Sequence, residues 1–192
     1  MADALPRAEV AQALLAGIGD ELIVCGLGSP VSEVSRTNHR DLNFYLGGAM
    51  GSATPIGLGL ALARPDRTVL VITGDGELMM NIGVLATIGV MKPKNLSVVV
   101  MDNERFGETG QQMSHTAFGI DIPGIALASG FADAVTVREQ RMLPAVVQRM
   151  RAGAGPYLAS IKVAAGSVPI NIPQKDGVLV KGRFRRALLG VE

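Results

Sequence analysis

Short apolar runs rich in β-branched residues alternate along this chain with longer segments of helical pattern, and glycines fall at the junctions between them. This alternation is typical of βαβ units, in which helices connect parallel strands. Two of the runs, residues 68–73 and 96–101, are almost continuously apolar, as expected of strands that are covered on both faces. The pattern predicts a doubly wound α/β domain with a mainly parallel, six-stranded sheet and helices on both faces.

The predicted elements fill most of the chain. Strands are expected at residues 21–25, 42–46, 68–73, 96–101, 134–137 and 157–163. Helices are expected at residues 6–16, 51–63, 78–91, 122–129 and 139–151. We therefore predict one domain over residues 1–165. The remaining tail, residues 166–192, contains two prolines and a short amphipathic segment at residues 184–189, and we expect it to pack on the domain or on a partner.

Composition excludes several classes of function. The 18 lysines and arginines nearly balance the 17 acidic residues, so no basic field for nucleic acid exists, and no nucleic-acid-binding motif appears. The single cysteine, Cys25, lies in an apolar run, which predicts a buried, inert thiol and a reducing cytoplasmic location. The charge-free stretch 42–63 is long enough to cross a bilayer. Its five glycines favour a strand, a turn and a helix instead, so we expect no membrane association.

Polar residues follow two consecutive predicted strands. Gly74-Asp75-Gly76-Glu77 ends the strand at 68–73, and Asp102-Asn103-Glu104-Arg105 ends the strand at 96–101. The segment between them is long enough for one crossover helix and one strand, so both ends can reach the same sheet edge. Carboxylate, amide and carbonyl oxygens are hard ligands that suit Mg²⁺ completed by phosphate oxygens and water. A bare Gly-Asp-Gly is more often an ordinary turn, but the two motifs together predict a metal-held diphosphate.

These two motifs resemble the metal and diphosphate motif of thiamine diphosphate enzymes, Gly-Asp-Gly followed by Asn-Asn. The resemblance implies that Asp75, the Asn103 side chain and the main-chain oxygen of Arg105 bind Mg²⁺. Asp102 departs from the usual first asparagine. That position is not a ligand in the family, and a second carboxylate there could either tighten the metal or perturb neighbouring titrations.

The resemblance extends to the glycine-rich segment before these motifs. It implies that Met50 wedges beneath the cofactor and enforces its bent shape, and that the carbonyl of Gly48 accepts from the 4'-amino group. A simple role for Met50 as core filler is the alternative. The cofactor-binding residues implied by the resemblance are Gly48, Ala49, Met50, Gly74, Asp75, Gly76, Glu77, Asn103, Arg105, Phe106 and Gly107.

The chain is most similar, within this family, to the beta subunits of sulfopyruvate decarboxylases and to phosphonopyruvate decarboxylases. The residues that carry this likeness are Ser35-Arg36, Asp41, Asn43-Phe44-Tyr45, the segment 48–51, the segment 108–112 and Thr116. It implies a 2-oxo acid decarboxylase that releases CO₂ and an aldehyde. A carboligase of the acetolactate synthase type and a non-catalytic cofactor-binding subunit stay open. A nicotinamide-binding protein is disfavoured because Val31 replaces the last glycine of the dinucleotide motif.

The resemblance implies that a chain of this length holds only half of the expected active site. Thiamine diphosphate enzymes need a second domain, whose glutamate protonates the pyrimidine N1'. Glu33 is the one acidic candidate for that role, and a solvated position at a helix start is the favoured interpretation. The resemblance therefore implies a pyrimidine-domain alpha subunit that supplies the activating glutamate, in a hetero-oligomer with at least two copies of each chain.

Two further side chains are candidates for roles in the reaction. His115 could relay protons near the cofactor, although a hydrogen-bonded structural histidine is the stronger interpretation. Arg36 could bind a sulfonate, phosphonate or carboxylate of the substrate, and an ordinary salt bridge is about as well supported. His39 receives no role.

Overall fold

The computed structural model describes residues 4–166, 169 and 171–191. The predicted domain, residues 1–165, and the predicted tail, residues 166–192, therefore each include positions outside the described residues, namely 1–3, 167, 168, 170 and 192. The division between them at residue 165 stays a prediction. Within the described part, the strands are β1 (Leu22–Cys25), β2 (Asn43–Tyr45), β3 (Val69–Gly74), β4 (Leu96–Asp102), β5 (Arg105–Phe106), β6 (Gln112–Met113), β7 (Asp133–Val137) and β8 (Tyr157–Lys162).

Six of these strands form one parallel sheet in the order β2-β1-β3-β4-β8-β7, while β5 and β6 pair as a small antiparallel hairpin. All six predicted strands of the main sheet are confirmed, each to within one residue at either end. The helices are α1 (Arg7–Leu15), α2 (Ser29–Thr37), α3 (Ala53–Ala63), α4 (Asp75–Met79), α5 (Val84–Met91), α6 (Ile122–Ala128), α7 (Leu143–Met150) and α8 (Gly177–Leu189).

Alternate residues of the strands face two separate hydrophobic cores. Ile23 and Cys25 of β1 point into a core with α1, α2 and α7, whereas Leu22 and Val24 point into a second core with α3 to α6 and α8. The predicted doubly wound fold is thereby confirmed. The predicted burial of Cys25 is also confirmed, and that burial, with the Glu77 carboxylate nearby, raises the pKa of its thiol well above the ordinary value.

Two helix predictions need correction. Residues 78–91 do not form one helix: α4 ends at Met79 and α5 begins at Val84, because the intervening turn contains Asn81 and Gly83, which favour turns over helix. The Asn81 side chain donates to the Gly51 carbonyl at 3.2 Å and so ties this turn to the start of α3. The segment predicted as a helix from residue 139 begins as a 3₁₀ turn at Gln140–Met142 and becomes α7 at Leu143.

Helix α2 has no counterpart among the predicted helices. Its serines, valines and threonine have weak intrinsic helix propensity, so packing of Val31 and Val34 into the core stabilises it. Glu33 lies in this helix with 6% of its surface exposed, so the prediction that it occupies a solvated helix start is wrong.

The C-terminal helix α8 is longer than the predicted amphipathic segment and begins where Asp176 caps it, its carboxylate accepting from the Val178 amide at 2.8 Å. Phe184 packs edge-on against Phe44, with ring centroids 5.6 Å apart. The charge-free stretch 42–63 forms β2 and α3, as predicted. In the described part of the chain, no helix is long and apolar enough to span a membrane.

Candidate active site

A pocket of about 400 Å³ lies beyond the carboxyl ends of β1, β3 and β4. From β1 the chain moves outward to β2 and then returns to the opposite side of β1 as β3. The loops after β1 and β3 therefore diverge, and a crevice forms at this switch in strand order, where α/β sheets bind their ligands. The two predicted polar strand ends share this pocket.

All but two of the predicted cofactor-binding residues line the pocket. Those in its wall are Met50, Gly74, Asp75, Gly76, Glu77, Asn103, Arg105, Phe106 and Gly107. Gly48 and Ala49 directly precede Met50 but do not belong to the described lining.

Asp75 is the first residue of α4, and its side chain is buried. Its Oδ2 accepts a hydrogen bond from the Ser114 hydroxyl and lies 3.1 Å from the Thr116 hydroxyl, whose single proton is shared between Asp75 and Asp102. Burial raises the pKa of Asp75, the nearby Asp102 carboxylate raises it further, and the two hydroxyl bonds oppose the shift. The Ser114 and Thr116 bonds fix the orientation of this carboxylate at the edge of the pocket.

Asp102 has a full set of partners of its own. Its Oδ1 accepts from Thr116 at 2.8 Å, and its Oδ2 accepts from Ser160 at 3.2 Å and pairs with the Lys162 ammonium at 2.7 Å. The charge of this unusual residue is one of the causes that raise the pKa of Asp75.

A tight turn follows β4. The Asn103 side-chain oxygen accepts from the Arg105 amide at 2.9 Å, and Glu104 between them adopts a left-handed conformation with φ of 59°. Asn103 is buried, with 8% of its surface exposed, and lines the pocket. The turn thus brings the Asn103 amide to the pocket that holds Asp75.

The donors in this pocket fit Mg²⁺ in kind. One carboxylate, one amide oxygen and one main-chain carbonyl are hard oxygen ligands, and Mg²⁺ usually completes such a set with phosphate oxygens and water. No group of three or more His, Cys, Asp or Glu side chains suited to a metal occurs among the described residues. The assignment of Asp75, Asn103 and Arg105 as ligands stays a prediction.

Glu77 lies buried beside the pocket. Its Oε2 accepts from the Thr73 hydroxyl at 2.9 Å, while Oε1 is buried without a hydrogen-bond partner in the described structure. Burial raises the pKa of Glu77, and the Thr73 bond opposes that shift. A Cβ atom on Gly26, the residue after β1, would overlap the Glu77 carboxylate. Glycine at this position therefore allows the chain to pass close to the Glu77 side chain.

Met50 has 41% of its surface exposed, so the reading of Met50 as core filler is wrong. His115 is exposed and packs its ring against Phe106, with centroids 6.4 Å apart, but it is not in the described lining. Arg36 donates to the carbonyl of Pro169 and also lies outside the described lining. The proposed roles of His115 and Arg36 stay untested predictions.

Several lining residues were not among the predicted site residues. Gly28 and Ser29 follow β1, and the same strand-end reasoning that identified Asp75 would have found them. Arg7 comes from α1 and donates to Ser29 Oγ at 3.1 Å and to the Gly166 carbonyl at 2.9 Å. No sequence pattern links Arg7 to the pocket, because its contacts are distant along the chain.

A doubly wound parallel sheet with hard oxygen donors in its switch-point crevice defines the class of α/β domains that bind a phosphorylated cofactor. Within this class the assignment is specific: residues 29–161 match the family "Thiamine pyrophosphate enzyme, C-terminal TPP binding domain", and the chain belongs to that family.

Relatives of known name extend this result. The chain is 42% identical to the sulfopyruvate decarboxylase subunit beta of Methanocaldococcus jannaschii, over 68% of this chain and 69% of that one. It is 34% identical to the corresponding subunit of Methanococcus maripaludis, over 96% of this chain and 98% of that one. It is 35% identical to the phosphonopyruvate decarboxylase of Streptomyces viridochromogenes, over 86% of this chain and 42% of that protein. The predicted resemblance to these two groups is confirmed.

Proposed function

We propose that the chain is the diphosphate-binding beta subunit of a thiamine diphosphate-dependent 2-oxo acid decarboxylase similar to sulfopyruvate and phosphonopyruvate decarboxylases. The meeting of Asp75 and Asn103 in one switch-point pocket carries this proposal. Membership of the thiamine pyrophosphate family and the similarity to named beta subunits support it.

The residues of the pocket would divide the work of holding the cofactor. Asp75, the Asn103 amide and the main-chain oxygen of Arg105 would bind Mg²⁺ and through it the diphosphate. Met50, exposed in the pocket wall, would shape the cofactor from below. When bound, thiamine diphosphate supplies the electron sink that lets a 2-oxo acid lose CO₂.

Two arginines line the pocket beside the carboxylates of Asp75, Glu77 and Glu108, and an arginine can bind an acidic group of a substrate. The two arginines are Arg7 and Arg105, and Arg105 Nη1 is buried without a hydrogen-bond partner in the described structure. Arg36 already donates to the Pro169 carbonyl, and Arg7 already donates to Ser29 and to the Gly166 carbonyl, so Arg105 is the better candidate for contact with a second acidic group of the substrate. This supports 2-oxo acids that carry a sulfonate, a phosphonate or a second carboxylate.

A second subunit would complete the active site. The pyrimidine-domain alpha subunit would supply the activating glutamate, because Glu33 is buried in α2 and is absent from the described pocket wall. Exposed apolar side chains such as Met80 and Phe118, with 60% and 74% of their surfaces exposed, suit an interface. We further propose that the complex contains at least two copies of each chain.

We also propose a cytoplasmic location, since the single, buried Cys25 suits a reducing compartment.

Reconstitution tests this function. The chain, co-purified with its pyrimidine-domain partner, is assayed with sulfopyruvate, phosphonopyruvate, pyruvate and an aromatic 2-oxo acid in the presence of thiamine diphosphate and Mg²⁺. Release of CO₂ and an aldehyde from the mixture, and from neither chain alone, is expected. A carbon–carbon ligation product would instead identify an acetolactate synthase-like carboligase. Cofactor binding with persistent inactivity would identify a non-catalytic subunit.

The metal assignment has its own test. Asp75→Ala should abolish Mg²⁺-dependent binding of thiamine diphosphate by the assembled complex, measured by calorimetry, because it removes the only carboxylate proposed as a ligand. Asp66→Ala is the matched control, since Asp66 pairs with Arg64 on the surface away from the pocket. Full affinity in the Asp75 variant would exclude Asp75 as a ligand.

A further inference from the structure

We infer that Lys162 is a positioning residue that holds the metal turn, residues 103–105, in the conformation that presents its donors to the pocket. This inference rests on the proposed function, because it concerns residues proposed to bind Mg²⁺. Lys162 itself lies outside the described wall of the pocket, so its effect acts through the turn.

Lys162 bridges the residues on either side of Asn103. It is the last residue of β8, and in the sheet register it lies directly beside Asp102, the last residue of β4. Its ammonium is 2.7 Å from Asp102 Oδ2 and 2.7 Å from Glu104 Oε1. Only 12% of the Lys162 side chain is exposed, so water screens these pairs less than it screens surface ion pairs.

The pair with Glu104 has a conformational consequence. Glu104 has φ of 59°, a left-handed backbone that is unfavourable for a residue with a Cβ atom. Such conformations persist where surrounding contacts over-determine them. The contacts here are the ion pair to Lys162, the bond from the Glu104 amide to Asp102 Oδ1 at 3.2 Å, and the bond from the Ser114 amide to the Glu104 carbonyl at 3.0 Å.

The conformation of Glu104 fixes the direction of both neighbouring donors. The Asn103 amide oxygen and the Arg105 amide are joined across Glu104 at 2.9 Å, so a change in φ at Glu104 moves Asn103 and Arg105 relative to each other. Mg²⁺ requires near-ideal octahedral geometry and tolerates such displacement poorly. Lys162 thus affects metal affinity by orienting the proposed ligands without binding the metal itself. Loss of residues that orient metal ligands typically weakens metal binding by about 10- to 100-fold.

The first experiment removes the ammonium together with the Asp102 carboxylate that it pairs with, and the single variant Asp102→Asn is the reference that separates loss of the ammonium from loss of the carboxylate. The double variant Asp102→Asn/Lys162→Met is prepared as the complex with the pyrimidine-domain subunit. Because the chain has no tryptophan, calorimetry follows Mg²⁺ binding in the presence of thiamine diphosphate. The Mg²⁺ concentration for half-saturation is expected to rise by about 10- to 100-fold. Turnover at saturating Mg²⁺ is expected to recover, since Lys162 contacts no reacting group. Lys94→Met, at an exposed position, is the matched control.

The second experiment separates positioning from general stability. Glu104→Gly, added to the double variant, should recover most of the lost Mg²⁺ affinity, because glycine adopts the left-handed conformation without the ion pair. Lys92→Gly controls for removing a side chain at another left-handed residue, φ 47°, and should recover nothing. If the double variant does not fold, Lys162→Gln takes its place. The same two measurements then apply: the Mg²⁺ concentration for half-saturation, and its recovery when Glu104→Gly is added.

The outcomes are distinct. A wild-type complex that binds no Mg²⁺ with thiamine diphosphate overturns the proposed function, and this inference with it. If the wild-type complex binds Mg²⁺ and thiamine diphosphate and the double variant needs no more Mg²⁺ than the wild type, the role of Lys162 is overturned and the proposed function stands. If the double variant needs more Mg²⁺ and Glu104→Gly does not restore the affinity, the positioning role of Lys162 is also overturned, because Lys162 would then act only through charge or stability.

Discussion

At the scale of single residues, Met50 is a position where the expected effects on stability and on function differ. It lines the pocket, is 41% exposed, and follows Ala49, whose φ is 59°. Met50→Ala should therefore change the free energy of unfolding by no more than about 0.5 kcal/mol. A misplaced cofactor should lower kcat of the assembled complex by about 10- to 100-fold. Chemical denaturation and steady-state turnover measure the two effects.

The control for Met50 is Met91→Ala, at an exposed methionine outside the described wall of the pocket. It should leave kcat unchanged when the complex is fully assembled. Equal turnover by the Met50 variant and the wild type would contradict a wedge role.

The identity of a residue predicted its place in the pocket where only neighbouring residues were needed. The positions of Asp75 and Asn103 in the pocket could be predicted because each follows a strand end and carries a hard oxygen donor. The pairing of Asp102 with Lys162 could not, since it depends on the register between β4 and β8, which are far apart in sequence. The same limit applies to the role of Gly26, whose lack of a side chain is required by the Glu77 carboxylate from another strand end.

At the scale of elements, helix α3 contains two glycines with opposite surroundings. A Cβ atom on Gly57 would overlap Val71 of β3, whereas a Cβ on Gly59 would have no atom within 4 Å. Gly59→Ala should raise the free energy of unfolding by about 0.5–1 kcal/mol, because alanine loses less conformational entropy in a helix. Gly57→Ala should lower it by about 1–3 kcal/mol, because the helix must shift from the sheet.

Thermal and chemical denaturation of the two single variants measure this difference, and each variant is the control for the other. Destabilisation by both substitutions to the same extent would mean that α3 does not approach β3 as closely as its glycines indicate.

The strands were predictable as elements because their apolar runs are continuous and short, and both faces of the sheet are covered. Helix α2 was not, since its residues have weak propensity and its stability comes from tertiary packing. The division between α4 and α5 could have been predicted from Asn81 and Gly83, which favour a turn, whereas the contact from Asn81 to the Gly51 carbonyl that adds to it is not contained in any local pattern.

For the whole molecule, the position of the pocket follows from strand order, and strand ends alone indicate which loops converge there. What they do not indicate is how the C-terminal part of the chain returns to the domain. The contacts of Arg36 with Pro169 and of Arg7 with Gly166 both involve the segment after β8. Arg7 lines the pocket and Arg36 lies outside its described lining, and neither position could be predicted from local sequence because both contacts are distant along the chain.

One of the contacts between α8 and the rest of the domain involves a titratable histidine. Arg183 of α8 donates to His39 Nε2, with the two nitrogens 3.1 Å apart, and to the Asn43 carbonyl at 2.8 Å. Arginine can only donate, so Nε2 must be unprotonated. Partial burial lowers the pKa of His39, and the Arg183 charge lowers it further, against the opposing effect of Asp41. The unfolded chain therefore binds the proton more readily, and stability contributed by this contact rises with pH.

That contribution should be complete above the ordinary histidine pKa of about 6.5 and should be lost as the pH falls below it through the lowered value. Amide hydrogen exchange in α8, corrected for its intrinsic pH dependence, should accelerate by about two- to tenfold across this range, the equivalent of one hydrogen bond. His39→Gln keeps an acceptor for Arg183 but cannot titrate, so its corrected exchange should be independent of pH there. An equal acceleration in the variant would assign the effect to another group and leave His39 without a part in the docking of α8.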